Sequence, residues 1–323
     1  MLSTRVKPTH AALLACALLA GCAVSRTPTQ VQIQQTRTAL MAAIAPNVQA
    51  GSDTALPSAD LLLAPLVWGS APPQILLLGE QHDAPQHQTL ERDVVRLLLR
   101  HGRLSALALE MAEQGRSTAG LKSDASEADV QTALGWNEIG WPWATYGPVV
   151  MLAVRDGVAV LGANLPRNQQ RTAMKDEALD ARLASSSLQK QQDLIEASHC
   201  GLLAATQLRP MTRIQIARDK AMADTLVQAL DRTAPLSPEQ HRSGRPIVLL
   251  IAGSGHADRE LGVPQHLPLQ VKVASIRLLA DNSAQPATDA QPFDAVWPTP
   301  ALPPKDYCAE FRASMQAKAK PQP

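Results

Sequence analysis

The sequence predicts an α/β fold: a largely parallel sheet flanked by helices, with a smaller all-helical subdomain inserted. Three observations predict it. Short, mainly apolar runs recur along the chain, at 74–78, 105–109, 157–161, 247–251 and 271–278. Helical periodicity fills several of the gaps between them. Residues 165 to about 235 carry helical patterning and no strand-like run. Apolar runs that do not alternate with polar residues suit strands buried on both faces, as parallel sheets require.

The chain opens with Arg5 and Lys7, followed by an Ala/Leu-rich stretch from Ala11 to Ala20. That stretch is too short to span a bilayer, and it suits the core of a secretory signal over residues 1–21. Leu19-Ala20-Gly21-Cys22 resembles the lipobox of bacterial lipoproteins. The resemblance implies cleavage before Cys22, lipid on its sulfur and amine, and a mature protein tethered to a membrane. Ala23 in place of Asp implies the outer membrane, with the protein facing the periplasm. Residues 22–55 are polar with scattered Pro, Gly and Ser, and read as a tether.

The first strand is Gln74 to Leu78, between Pro73 and Gly79. Asp83 is a plausible N-cap for the helix that follows, with Pro85 in its first turn and Leu90, Val94, Leu97 and Leu98 at helical spacing as far as Gly102. A second strand, Ser105 to Leu109, ends at Glu110. A helix from about Pro148 to Arg155 leads into a third strand, Gly157 to Leu161. Residues 165–212 form the helical subdomain, and a helix over Arg213 to Leu230 returns to the sheet. Ile247 to Ile251 and Val271 to Leu278 are the fourth and fifth strands, so the α/β domain comprises 56–164 and 213–280. Residues 281–323, rich in Pro, Gln and Asp, read as an extended tail.

Apolar residues make up 45% of the 323 positions and charged residues 18%, which supports a sizeable core. A net charge of +1 with no long basic run argues against a nucleic-acid partner. Of the four cysteines, Cys16 leaves with the signal and Cys22 takes the lipid. Cys200 and Cys308 remain, either paired in an oxidising compartment or as two buried thiols.

Three strands end in residues able to do chemistry: Gly79-Glu80-Gln81-His82, Glu110, and Gly253-Ser254-Gly255-His256. Open α/β sheets bind ligands beyond the carboxyl ends of their strands, so these groups can converge on one pocket. Two carboxylates and two imidazoles suit a metal ion or acid–base work. The chain has only nine aromatic residues, yet Trp136, Trp141, Trp143 and Tyr146 fall together between the second and third strands. They form either an apolar wall for a planar ligand or a self-packed loop. No Gly-x-Ser-x-Gly elbow and no Gly-x-Gly-x-x-Gly is present.

Five segments come in a telling order: Leu78-Gly79-Glu80-Gln81-His82-Asp83, Ala108-Leu109-Glu110-Met111, Ala217-Arg218-Asp219-Lys220-Ala221-Met222-Ala223, Ile251-Ala252-Gly253-Ser254-Gly255-His256 and Gly262-Val263-Pro264. Together they resemble the ChaN-like haem-binding lipoproteins, within a superfamily that includes Tiki proteases and erythromycin esterases. The resemblance covers roughly residues 60–280. It implies ferric haem held by a tyrosine at a dimer interface, and so a homodimer when loaded. Tyr146, in Thr145-Tyr146-Gly147-Pro148, is the implied iron ligand, and Tyr307 lies beyond the matched region. Trp143 offers an apolar face, Glu80, His82, Glu110 and His256 line the pocket, and Arg116, Arg167, Arg209 and Arg213 are candidates for the propionates. Hydrolases of the superfamily imply the alternative, in which Glu80, His82, Glu110 and His256 form a divalent-metal or acid–base site.

Overall fold

The computed structural model describes residues 59–67, 72–232, 246–281 and 292–319. The signal sequence, Cys22 and the tether lie outside the described residues. A short helix, α1 (Ala59–Val67), precedes the first strand, β1 (Ile75–Glu80). Then follow α2 (Pro85–Arg100), β2 (Leu104–Glu113), α3 (Glu127–Leu134), α4 (Trp143–Arg155) and β3 (Ala159–Asn164). The helical stretch holds α5 (Gln170–Lys175), α6 (Ser185–Ser198) and the long α7 (Ala205–Asp231), with short 3₁₀ turns between them. The chain ends with β4 (Ile247–Gly253), the one-turn α8 (Ser254–Ala257), β5 (Val273–Ala280), β6 (Ala295–Thr299) and α9 (Tyr307–Ala319).

The described strands make one parallel sheet in the order β3-β2-β4-β1-β5-β6. Every residue of β1 is buried, because helices cover both faces. Leu76, Leu78, Leu107, Leu109, Leu249 and Ile251 pack on one face, with side chains from α1 to α4. Ile75, Leu77, Ala106, Ala108, Val248 and Leu250 pack on the other, against Met222, Ala223 and Leu226 of α7. The pleat alone sorts these neighbours to opposite sides, and each fully buried Leu or Ile contributes ~1.5–3 kcal/mol.

A third apolar cluster joins Leu165, Ala173, Leu179 and Leu183 to Ile216, Ala217 and Ala221 of α7. The helical segment thus hangs on the N-terminal half of α7, whose C-terminal half packs on the sheet. Pro210 sits inside α7, five residues past its start, so this helix begins well before the Arg213 that its apolar spacing suggested. Pro148 is likewise inside α4, which starts at Trp143. In both cases the proline is close enough to the helix start for few intrahelical bonds to be lost.

The C-terminal region departs from the expected extended tail. Ala295–Thr299 pairs with β5 as a sixth strand, and Tyr307–Ala319 is helical. Pro298 inside the strand masks it in the sequence, and an edge position tolerates the missing N–H. Cys200 and Cys308 are joined by a disulfide that ties α9 to the turn after α6.

Candidate functional site

The β1 connection runs over β4 to β2 and the β4 connection runs over β1 to β5, so connections diverge on either side of this central pair, between β2 and β4 and between β1 and β5. A crevice opens beyond the carboxyl ends at such a point. Register puts Glu80 level with Gly253, and Leu109 level with Ile251. Glu80 falls on the face covered by α2 and α4, and Glu110 on the face covered by α7. His82, in the turn after β1, reaches both: its Nδ1 lies 2.8 Å from Glu80 Oε1 and its Nε2 3.7 Å from Glu110 Oε2.

Glu80 is buried and crowded with donors. Tyr146 donates its hydroxyl hydrogen to Oε1 at 2.8 Å, and Gln88 donates from Nε2 to Oε2. Glu91, also on α2, is fully buried beside it, and among the described residues neither of its oxygens has a hydrogen-bond partner. Burial first, and then the neighbouring Glu80, hold the Glu91 carboxyl well above the usual range, so it keeps its proton.

On the other face, Glu110 accepts from the Gly253 amide at 2.7 Å and faces His256 Nε2 at 3.3 Å. His256 Nδ1 meets Asp219 Oδ1 at 2.6 Å, and Gln215 of α7 lies 3.2 Å from the same nitrogen. Burial opposes charge on His256, but Glu110 and Asp219 outweigh it and lift the imidazolium to about 10. Burial alone would raise Glu110, yet His256, then His82 and the Gly253 amide, hold it down at about 2. Burial pushes Asp219 up to about 6 against the pull of His256. For His82, burial works against the charge, and the Glu80 hydrogen bond and the Glu110 field raise it overall. A Cβ at residue 253 would stand 2.9 Å from His82 Nε2, so any larger residue there would push the imidazole aside.

The arrangement is therefore a continuous polar line, Asp219–His256–Glu110–His82–Glu80, buried at both ends and open to solvent only at His82, whose side chain is 40% exposed. Such a line can hold a proton on His256, keep His82 oriented by a carboxylate, and present that imidazole to a ligand. His82 borders a cleft of about 530 Å³, lined also by Glu80, Asp83, Gly253, Arg277 and Tyr307.

The four residues expected from strand ends thus meet. Asp219, Gln88, Glu91, Gln215 and Arg277 are additions. Asp219 lies in the segment Ala217 to Ala223, but nothing in helical spacing shows that it is aimed at His256. Asp83 does not cap α2: Ala84 is the N-cap, and the Asp83 carboxylate accepts from Tyr307 instead. His87 is buried and structural, its Nδ1 accepting from the Gln81 amide at 2.9 Å and its Nε2 lying 3.0 Å from Thr299 Oγ1.

Tyr146 does not stand where an iron ligand must. It is 2% exposed, its hydroxyl is committed to Glu80, and burial and that carboxylate raise its phenol further above the ordinary value. A buried phenol that keeps its proton offers no face to a large planar ring. Trp143 is also turned aside, its indole N–H donating to Glu127 at 2.7 Å and its ring packed on Gly147. Trp141 is the indole at the site, edge-on to His82 with ring centroids 4.9 Å apart. The expected propionate partners are elsewhere too. Arg213 is held by Asp180 at 2.9 and 2.7 Å, and Arg209 lies 3.6 Å from the same carboxylate. Neither Arg116 nor Arg167 is among the residues that line the cleft, whereas Arg277 is.

No curated protein sequence matches the chain. Among solved structures, the chain is similar to ChaN of Campylobacter jejuni in a structure described as showing cofacial heme binding, with 23% identity, 69% of this chain and 86% of that one covered, and a TM-score of 0.53. At that identity the likeness establishes the fold. The type III effector HopBA1 overlays 79% of this chain and 100% of its own at 13% identity and a TM-score of 0.42. An erythromycin esterase in its open conformation overlays 68% of this chain and 72% of its own at 14% identity and a TM-score of 0.37. The model of one family, described as haem-binding uptake, Tiki superfamily, ChaN, matches residues 70–267. With well over half of its length matched, the chain belongs to the ChaN haem-binding uptake family of the Tiki superfamily.

Proposed function

We propose that this chain is a lipid-anchored haem-binding protein of bacterial iron acquisition, with ferric haem bound at the cleft beyond β1 and β4. The observation that carries the reading is the donor set of that cleft. It brings together the exposed imidazole edge of His82, the half-exposed phenol of Tyr307 and the guanidinium of Arg277. A phenol and an imidazole are iron donors, and an arginine suits a propionate. Trp141 beside His82 adds an aromatic surface. Family membership over 70–267 supports the same reading.

The residues present fit haem at this cleft, though not at Tyr146. When bound, haem supplies iron as cargo for transfer. This chain's own residues orient it: Arg277 pairs with a carboxylate, and the Glu80–His82 pair sets which imidazole nitrogen faces outward. A cofacial arrangement, as described for Campylobacter jejuni ChaN, needs two copies, so the loaded form is a homodimer. Lipid on Cys22 holds the protein at the outer membrane, facing the periplasm.

The test is an absorbance titration of the full chain in detergent with ferric haem, alongside His82→Ala and Arg277→Ala. Saturable binding at a simple stoichiometry, weakened in both variants, is expected. Non-saturable binding that neither variant alters would reduce haem to an adhering apolar molecule.

One observation favours a second reading, hydrolysis. The line from Asp219 to Glu80 orients an exposed imidazole between two carboxylates, as a general base requires. Ester or peptide hydrolysis abolished by Glu110→Gln and His82→Ala, or stoichiometric bound manganese, cobalt or zinc, would support it. Wild-type rates equal to those of both variants would end it.

A further inference from the structure

The family match stops at residue 267, but the chain continues, and its last part returns to the cleft. After β6 it turns into α9, whose first residue is Tyr307. The Tyr307 side chain lines the cleft and is half-exposed. Its hydroxyl donates to Asp83 Oδ2 at 2.7 Å and lies 3.4 Å from the Gln81 side-chain amide, so both contacts are to the turn that carries His82. Lys305 stands 4.9 Å from the centre of the Tyr307 ring.

Little apolar burial holds α9 in place. From Ala309 to Gln316 every described side chain is exposed except that of Phe311, which is half-buried with its ring centroid 5.7 Å from that of His199. What fixes the helix is the bond from Cys308, the residue after Tyr307, to Cys200. Cys200 is the one non-glycine residue with positive φ among the described residues, at 59°. A side chain in that region costs on the order of 1–2 kcal/mol, and the glycine that would relieve it cannot form the bond.

We propose that the C-terminal arm completes the haem site, with Tyr307 as the phenolate ligand for ferric iron and the Cys200–Cys308 bond as the latch that holds it at the cleft. The inference rests on the haem reading above. A phenolate is a hard, anionic donor matched to ferric iron. Tyr146 is buried, so Tyr307 is the tyrosine with an accessible oxygen. The hydrogen bond to Asp83 raises the Tyr307 phenol, so iron must displace the proton, which leaves past the Asp83 carboxylate to solvent. The latch acts by effective concentration: with the bond intact the phenol is held beside the iron, and without it the arm samples a larger volume. Opening is a reduction. A dithiol gives two electrons and two protons to the Cys200–Cys308 bond, leaving two thiols here and its own disulfide. Haem held by Tyr307 would then be released where reductant is present and retained where it is absent.

The experiment uses the full chain in detergent, titrated with ferric haem and followed by absorbance and resonance Raman. Wild type, Tyr307→Phe and the double variant Cys200→Ser with Cys308→Ser are compared. Far-UV dichroism and cooperative unfolding check that each variant is folded. The wild type is expected to show tyrosinate vibrations and a phenolate-to-iron charge-transfer band. Tyr307→Phe should lose both and bind about tenfold or more weakly, equal to ~1.4 kcal/mol per tenfold. The double serine variant should keep the band at saturation but need a several-fold higher haem concentration to reach it. A Tyr307→Phe variant with the wild-type band and affinity overturns the inference and leaves the haem reading standing. A double serine variant as tight as wild type overturns the latch. If the wild type shows no saturable binding, the haem reading falls and the inference with it.

Discussion

Replacing His256 with alanine exposes the electrostatics of the site most directly. In the wild type the imidazolium lies between Glu110 and Asp219, and all three side chains are 6% exposed or less. Removing it leaves two carboxylates facing a cavity, and breaking a buried pair in this way costs ~3–5 kcal/mol. The pH dependence is the sharper signature. The folded value of His256 is raised to about 10. Unfolded histidine titrates near 6.5, so the imidazolium's stabilisation is complete below that pH and is lost as pH rises towards 10. Between the two values the folded chain holds one more proton than the unfolded chain. Stability therefore falls by roughly 1.4 kcal/mol per pH unit, or ~2.7 kcal/mol from pH 7 to pH 9. The alanine variant lacks this slope. Its carboxylates repel each other, so it should instead gain stability as pH falls below 6 and one of them takes a proton. Urea unfolding of both proteins at pH 5, 7 and 9, with m-values compared, measures the difference. Equal slopes between pH 7 and 9 would show that His256 carries no excess proton in the fold, and the argument for the buried relay would fail.

Three further perturbations follow from the same geometry. Tyr146→Phe removes the hydroxyl that donates to Glu80 and should cost ~1–2 kcal/mol in urea unfolding; a variant as stable as wild type would mean that the bond is not made in solution. Gly253→Ala places a Cβ 2.9 Å from His82 Nε2, the free end of a side chain. The fold should survive within ~1–2 kcal/mol, while the NMR titration of His82 moves down towards its ordinary value as its carboxylate contacts stretch; an unmoved titration contradicts this. Glu91→Gln should be more stable than the wild type at pH 7, because Glu91 must take up a proton to fold there and glutamine need not. Its raised folded value makes wild-type stability decline as pH rises past the unfolded value near 4.5, and the glutamine variant should lack that decline. A loss above ~3 kcal/mol at pH 7 would mean that Glu91 is ionised in the fold.

The strands were legible because a strand buried on both faces is mainly apolar, and five of the six carry such a run. β6 escaped because an edge strand needs less burial and accepts Pro298. The start of α4 was misjudged because Pro148 reads as a boundary, and that of α7 because its regular apolar spacing becomes clear only from Arg213. Glu80, His82, Glu110 and His256 were legible as a set because strand ends converge in any open α/β sheet. Asp219, Gln88 and Glu91 were not, because a polar residue on an amphipathic helix looks the same whether it meets solvent or a partner across the core.

The sequence by itself determined the parallel sheet, the helical segment between β3 and β4, and the edge at which chemistry gathers, since these follow from local apolar patterning and from the rule that strand ends converge. Tertiary structure decided which donors face the cleft. Tyr146 and Trp143 read as ligand-facing in one dimension, yet packing of α4 against α2 turns the phenol inward to Glu80. Tyr307, far along the chain, reaches the cleft through a strand pairing and a disulfide. Exposure and orientation depend on contacts between residues distant in sequence, so no local pattern could have distinguished the two tyrosines.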